Sequence, residues 1–270
     1  MKYIYEQISK KDGVTLRGVL NTPDDFDQSK KYPAVIFYHG FGGDRNGTAW
    51  MRVLNAKHLT DRGYIVFRFD FSGTNESDGS FYDMTVSREE EEALMIYDFV
   101  NLRSFVDKNR IYLVGHSLGG VISTLIASKV NPRAIILQAP ASDMNNPDYI
   151  KVAAAAEFDQ DVSKLSAIEV IKKIRSMKDH DIGGVKLHRN FWLDFIGKDI
   201  YGAAKKYRGN VLIIRGTKDA LVFNDANQKL KDAYPNASYV QIEGADHSFT
   251  NYEHRIKMFD MMYEFLEENQ

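Results

Sequence analysis

The chain has 270 residues, 44% hydrophobic and 27% charged, with a formal net charge of −2 and no cysteine. That length suits one large α/β domain with an inserted subdomain and a substantial core. The near-neutral balance gives no argument for nucleic acid or anionic membrane as a partner, and the lack of cysteine excludes disulfides, thiolate catalysis and Cys-based zinc sites.

In chain order, Met1 to Gln7 carries no apolar run of signal-peptide length, and no later segment approaches a membrane span, so a cytoplasmic protein is the expectation. Tyr3 to Ser9 and Val14 to Thr22 read as an antiparallel hairpin turning at Lys10-Lys11-Asp12-Gly13. Pro33 to Tyr38 is a continuous apolar run, the mark of a strand buried on both faces of a parallel sheet. A helix follows from about Trp50 to Asp61, closed by Gly63, and Tyr64 to Phe69 is the next strand. Ser87 to Val106 predicts a helix packed on the sheet through Leu94, Tyr97, Val100, Phe105 and Val106. Ser87 and Glu90 make a Ser-x-x-Glu capping box at its start, and the run Glu89 to Glu92 reads as a first turn favoured by the helix dipole, not as a metal or acid/base site. Ala134 to Leu137, Val211 to Ile214 and Ala237 to Ile242 are further strands, with helices near 226–233 and 255–266. Strands alternating with helices imply a parallel sheet with helices on both faces.

The alternation breaks between Pro140 and Arg208. A stripe of Ile168, Ile171, Ile174 and Met177, a Gly183-Gly184 turn and the aromatics Phe191, Trp192 and Phe195 predict an inserted cap over the sheet edge where ligands bind in such folds. The division expected is a core of residues 1–139 and 209–270 with a cap of 140–208.

The chemistry centres on Gly115-His116-Ser117-Leu118-Gly119. The apolar run Ile111 to Val114 before it and the helix-compatible Val121 to Ala127 after it turn a common pattern into a strand–turn–helix elbow that pushes a serine hydroxyl outward. A serine needs a base, and the base needs an orienting acid, in the order Ser, acid, His on this architecture. Asp219 stands just past the strand 211–214, and His247 stands in the glycine-bearing loop after the last strand. Asp225 reads as a cap of the following helix, and Asp246 as pointing elsewhere from the neighbouring loop position. His58, His180, His188 and His254 lack the strand-end context, and Asp179-His180-Asp181 reads as a polar loop of the cap. His39-Gly40-Phe41-Gly42-Gly43 follows a buried strand, so the backbone N–H groups of Phe41 and Leu118 are the expected oxyanion donors. A phosphate cradle is disfavoured because neither Gly-Lys-Ser/Thr nor Gly-x-Gly-x-x-Gly occurs there.

These four motifs together resemble the α/β-hydrolases. The stretch Phe67-Arg68-Phe69-Asp70-Phe71-Ser72-Gly73, with Glu76-Ser77-Asp78-Gly79 and Met84-Thr85-Val86, more specifically resembles the bacterial cinnamoyl (feruloyl) esterases of gut lactobacilli and rumen bacteria. The resemblance implies hydrolysis of hydroxycinnamate and other small esters through Ser117, Asp219 and His247, with no cofactor and no metal. Trp192 and Phe195 are the candidate walls of the acid pocket, with Val222 at its flank. Monoacylglycerols or other short-acyl esters are the alternative substrates, and a non-catalytic binding protein on the same scaffold is the alternative of a different class. A small-molecule ester is the expected partner, and a homodimer is left open.

Overall fold

The computed structural model describes residues 1–153 and 164–270. Strands β1 (Lys2–Ser9) and β2 (Thr15–Thr22) form the antiparallel hairpin, with Lys2 opposite Thr22 and Ser9 opposite Thr15. Then come β3 (Tyr32–Tyr38), α1 (Met51–Thr60), β4 (Ile65–Phe69), α2 (Val86–Asn101), β5 (Val106–His116), α3 (Leu118–Val130) and β6 (Ala134–Gln138). The chain continues through α4 (Pro147–Ala153), α5 (Ala167–Ser176), β7 (Asp179–Ile182), β8 (Val185–His188), α6 (Asn190–Ile196) and α7 (Ile200–Ala204). It closes with β9 (Asn210–Gly216), α8 (Asn224–Ala233), β10 (Ala237–Ile242) and α9 (Tyr252–Glu268). Among the described residues the main sheet has eight strands in the order β1-β2-β4-β3-β5-β6-β9-β10. β2 is antiparallel to β1 and β4, and every other neighbouring pair is parallel.

Strand alternation sends consecutive apolar side chains to opposite faces, which is why this sheet supports two separate cores. Ile36 and Tyr38 of β3, Ile111 and Leu113 of β5 and Ile213 of β9 join one cluster, with Ile96 of α2, Val121 of α3 and Leu230 of α8. Val35 and Phe37, Tyr112 and Val114, and Ile214 join the other, with Leu59 of α1 and Phe259 and Met262 of α9. The expected α/β class with helices on both faces is therefore the observed one. α4 to α7 and the small β7–β8 hairpin all fall between β6 and β9, which pair directly, so none of them extends the main sheet. Among the described residues no helix is long and apolar enough to cross a membrane.

Local expectations fail where tertiary contacts intervene. α2 ends at Asn101 because the sheet recruits the following backbone: Val106 opens β5 and pairs with Tyr32, and Phe105 packs edge-on against Phe26. Its N-cap is Thr85, whose side chain accepts from Arg88 N at 3.1 Å, so Ser87 and Glu90 make no capping box. The N–H of Ser87 instead donates to the carboxylate of Asp194 on α6 at 2.7 Å, an anion from a distant segment meeting a first-turn amide. Asp225 sits inside the first turn of α8 and pairs with Lys229 at 3.3 Å, while Phe223 holds the N-cap position. On α5 the buried face is Val170 and Ile174, and Ile168 lies exposed, because the i, i+4 pair faces the core more directly than the expected stripe. Asp179, His180 and Asp181 form a strand, not a loop, so their side chains alternate and cannot converge.

The glutamate run also departs from a solvated first turn. Glu92 is fully buried and held by Lys10 Nζ at 2.7 Å and by the N–H of Ser72 at 2.9 Å. Glu89 is buried as well, and neither of its carboxyl oxygens has a hydrogen-bond partner among the described residues. Burial, reinforced by the charge of Glu92, pushes the Glu89 carboxyl well above the ordinary glutamate value of 4.5. The folded state thus retains a proton that the unfolded state releases, so stability falls as pH rises above about 4.5. Glu89→Gln should raise Tm at pH 8, by about 2–4 °C for each kcal/mol relieved, and should change it little near pH 4. Thermal melts of both proteins at the two pH values check this; an equal shift at both would remove ionisation as the cause.

Candidate active site

β5 delivers Ser117 to the carboxyl edge of the sheet. The residue has φ 54° and ψ −118°, a left-handed conformation costly for any side chain, roughly 1–3 kcal/mol. The turn is pinned by Ser117 N donating to Gln138 O at 2.9 Å and by Ala141 N and Gly120 N donating to Ser117 O. Its tightness explains the flanking glycines. A Cβ at Gly115 would sit 2.2 Å from Gly119 O, and one at Gly119 would sit 2.2 Å from Tyr38 O.

The loop after β3 comes against this elbow: a Cβ at Gly40 would lie 2.9 Å from the Cβ of Ser117. His39 holds the loop in place. Its Nε2 accepts from Phe71 N at 3.0 Å, which leaves Nδ1–H to donate to Gly40 O at 2.9 Å. Burial and the nearby Arg52 charge push the His39 pKa down to about 4, so the ring stays neutral at ordinary pH. Phe41 packs on Phe81 and Phe191 at 5.4 and 5.0 Å and faces the same cavity as Ser117. Leu118 opens α3, where a first-turn amide has no intrahelical partner.

Asp219 follows β9. Its Oδ1 accepts from the N–H groups of Leu221 and Val222, each at 2.9 Å, and its Oδ2 lies 2.8 Å from His247 Nδ1. Burial alone would push this carboxyl up, but the hydrogen bond and charge of His247 and the two amides outweigh it and hold the pKa below the usual value. Arg215 ties the acid loop down through Asp219 O at 2.9 Å and Val222 O at 3.0 Å.

A cavity of about 490 Å³ brings these groups together. Gly40, Phe41, Ser117 and His247 face it, with Met144, Tyr149, Ile182 and Trp192 from the 140–208 segment and Leu221 and Val222 from the acid loop. Trp192 and Val222, two of the expected pocket residues, line this cavity. Phe195 does not line it: it is fully buried and packs on Phe191 at 5.6 Å, and it is absent from the described cavity wall. Trp192 is itself buried, its Nε1–H donating to His180 Nε2 at 2.9 Å. His180, set aside on sequence grounds, thus anchors a wall residue. No group of three or more His, Asp or Glu side chains among the described residues is arranged to hold a metal.

His116 and Arg52 carry roles that sequence reading missed. Arg52 Nη2 donates to His116 Nδ1 at 3.3 Å, which leaves the His116 Nε2–H to donate to the backbone carbonyl of His247 at 3.0 Å. Burial, Arg52 and His247 together push the His116 pKa well below 6.5, so a neutral ring fastens the His247 loop to the serine turn. The only signal was the position of His116 inside the Gly-x-Ser-x-Gly motif.

The family model Hydrolase_4, described as serine aminopeptidase S33, matches residues 29–254. The chain belongs to this family. Among solved structures similar to this Hydrolase_4 chain is Est1E from Butyrivibrio proteoclasticus with ferulic acid bound. It is 25% identical with a TM-score of 0.81, covering 100% of this chain and 99% of that one. A dipeptidyl peptidase 4 from Porphyromonas gingivalis, 18% identical with a TM-score of 0.67 and covered over 35% of its length, shares the fold alone. Among curated proteins, the lysophosphatidylserine lipase ABHD12 of Xenopus tropicalis is 33% identical over 121 residues, 43% of this chain. The chain spans about 30% of that relative's length. These likenesses support an α/β-hydrolase of the esterase or lipase type.

Proposed function

We propose that the chain is a serine carboxylesterase that hydrolyses hydroxycinnamate and related small esters through an acyl-enzyme on Ser117. The observation that carries the reading is the Asp219–His247 bond of 2.8 Å, with His247 facing the cavity that Ser117 and the Gly40–Phe41 loop also face. His247 Nε2 takes the Ser117 hydroxyl proton as Oγ attacks the ester carbonyl, and returns it to the departing alcohol oxygen. Asp219 holds Nδ1–H of the ring, and the N–H groups of Phe41 and Leu118 receive the oxyanion. Water then enters by the same base to release the acid. We take residues 140–208 as a cap whose wall residue Trp192 and cavity neighbours Ile182 and Met144 select an apolar or aromatic acyl group and exclude water. The likeness to Est1E with ferulic acid bound supports an aromatic acid in that pocket. The curated relatives favour acyl esters of phospholipid type as the second reading.

Labelling of the intact protein by a fluorophosphonate, lost in Ser117→Ala, separates a hydrolase from a binding module. Methyl ferulate measured beside p-nitrophenyl acetate and longer p-nitrophenyl esters ranks the acyl group; a preference for long alkyl chains over ferulate would sink the cinnamoyl reading. Trp192→Ala should change this ranking, lowering kcat/KM on ferulate by roughly tenfold or more relative to acetate, because a pocket wall contributes binding energy selectively. Equal losses on both esters with a lowered Tm would make Trp192 structural packing only.

A further inference from the structure

The cavity has a second wall that the acyl pocket leaves unused. Besides the residues already named, it is lined by Asp44, Thr48, Met51, Arg52, His116 and Ser248. Arg52 stands out there because its side chain is 3% exposed and yet forms no ion pair with any carboxylate among the described residues. Its hydrogen-bond partners among the described residues are neutral acceptors: Asp44 O at 2.9 Å and His116 Nδ1 at 3.3 Å. Its Nε–H is buried with no hydrogen-bond partner among the described residues. Buried arginines are ordinarily paired, as the adjacent Arg45 is with Asp70 and Glu76. The Asp44 carboxylate is taken up by the N–H groups of Asn46 and Gly47 and reaches Arg52 only through space. Burial consequently pushes the Arg52 pKa down to about 10, a measure of incomplete neutralisation that still leaves the group charged at neutral pH.

Position identifies which part of an ester would meet this charge. The leaving alcohol oxygen must lie beside the base, since His247 protonates it. His116 stands 5.0 Å from His247, ring to ring, and carries Arg52 on its other nitrogen. We propose that Arg52 recognises a carboxylate or phosphate on the alcohol half of the substrate, so that the preferred esters are those of anionic alcohols. This rests on the esterase reading. A guanidinium that lines the cavity with no carboxylate of its own is the donor such an anion requires.

The test compares phenyl butyrate with 3-butyryloxybenzoate and 3-butyryloxyphenyl phosphate, which share the acyl group and a phenolic leaving group. In the wild-type protein kcat/KM should be about tenfold or more higher for at least one anionic ester, and which one separates carboxylate from phosphate. Arg52→Gln should collapse that ratio toward one, and Arg52→Lys should retain part of it. A loss through His116 would lower all three substrates together and leave the ratio intact, which would overturn the proposal. A measurement needing no variant is inhibition of phenyl butyrate hydrolysis, where 3-hydroxybenzoate or 3-hydroxyphenyl phosphate should compete at least tenfold better than phenol. Turnover of phenyl butyrate with no anionic preference and no such inhibition overturns this proposal alone; no turnover of any ester by wild type removes the esterase reading as well.

Discussion

Ser117→Ala is expected to reduce ester turnover on the order of 10³-fold or more while leaving the fold intact. In the proposed mechanism the base and acid act only on a proton that Ser117 supplies. The fold should survive because the change removes one oxygen at a turn held by backbone bonds to Gln138, Ala141 and Gly120. Steady-state kinetics on p-nitrophenyl acetate, with circular dichroism as the check on folding, decide the matter. A variant with near wild-type turnover would mean that another group is the nucleophile.

Asp219→Asn is expected to cut kcat by about 10⁴-fold. An amide can accept from the Leu221 and Val222 N–H groups as the carboxylate does, but it then presents an NH₂ to His247 Nδ1. That favours the tautomer with its proton on Nε2, which cannot take a proton from serine. Asp225→Asn, on the exposed first turn of α8 and paired with Lys229, should leave kcat nearly unchanged. The lowered Asp219 pKa adds a stability consequence. Its contribution is complete above the ordinary carboxylate range and is lost as pH falls through the depressed folded value. If Asp225→Asn proves the more damaging substitution, the acid has been misassigned.

The parts legible in the sequence share a local signature. The strands that alternate with helices, the glycines around Ser117 and the strand-end positions of Asp219 and His247 are all set within a few residues of chain. What stayed hidden depends on distant partners. Arg52 meets His116 across 64 positions and Lys10 meets Glu92 across 82, and no window of sequence reports either pairing. Thr85 and Ser87 are both plausible N-caps by residue type, and the choice falls to Thr85 because Asp194 occupies Ser87. Trp192 and Phe195 lie on one short helix, and composition cannot say which of them turns toward the cavity.

The left-handed backbone at Ser117 sets stability and chemistry against each other at a single position. A glycine there would adopt φ 54° and ψ −118° freely, and the fold would gain by the exchange. Selection for a durable scaffold alone therefore pulls this position toward glycine, and only a use for the hydroxyl pulls it back. A lineage that had abandoned turnover would have a downhill route of one substitution to a sturdier protein, and this chain has not taken it.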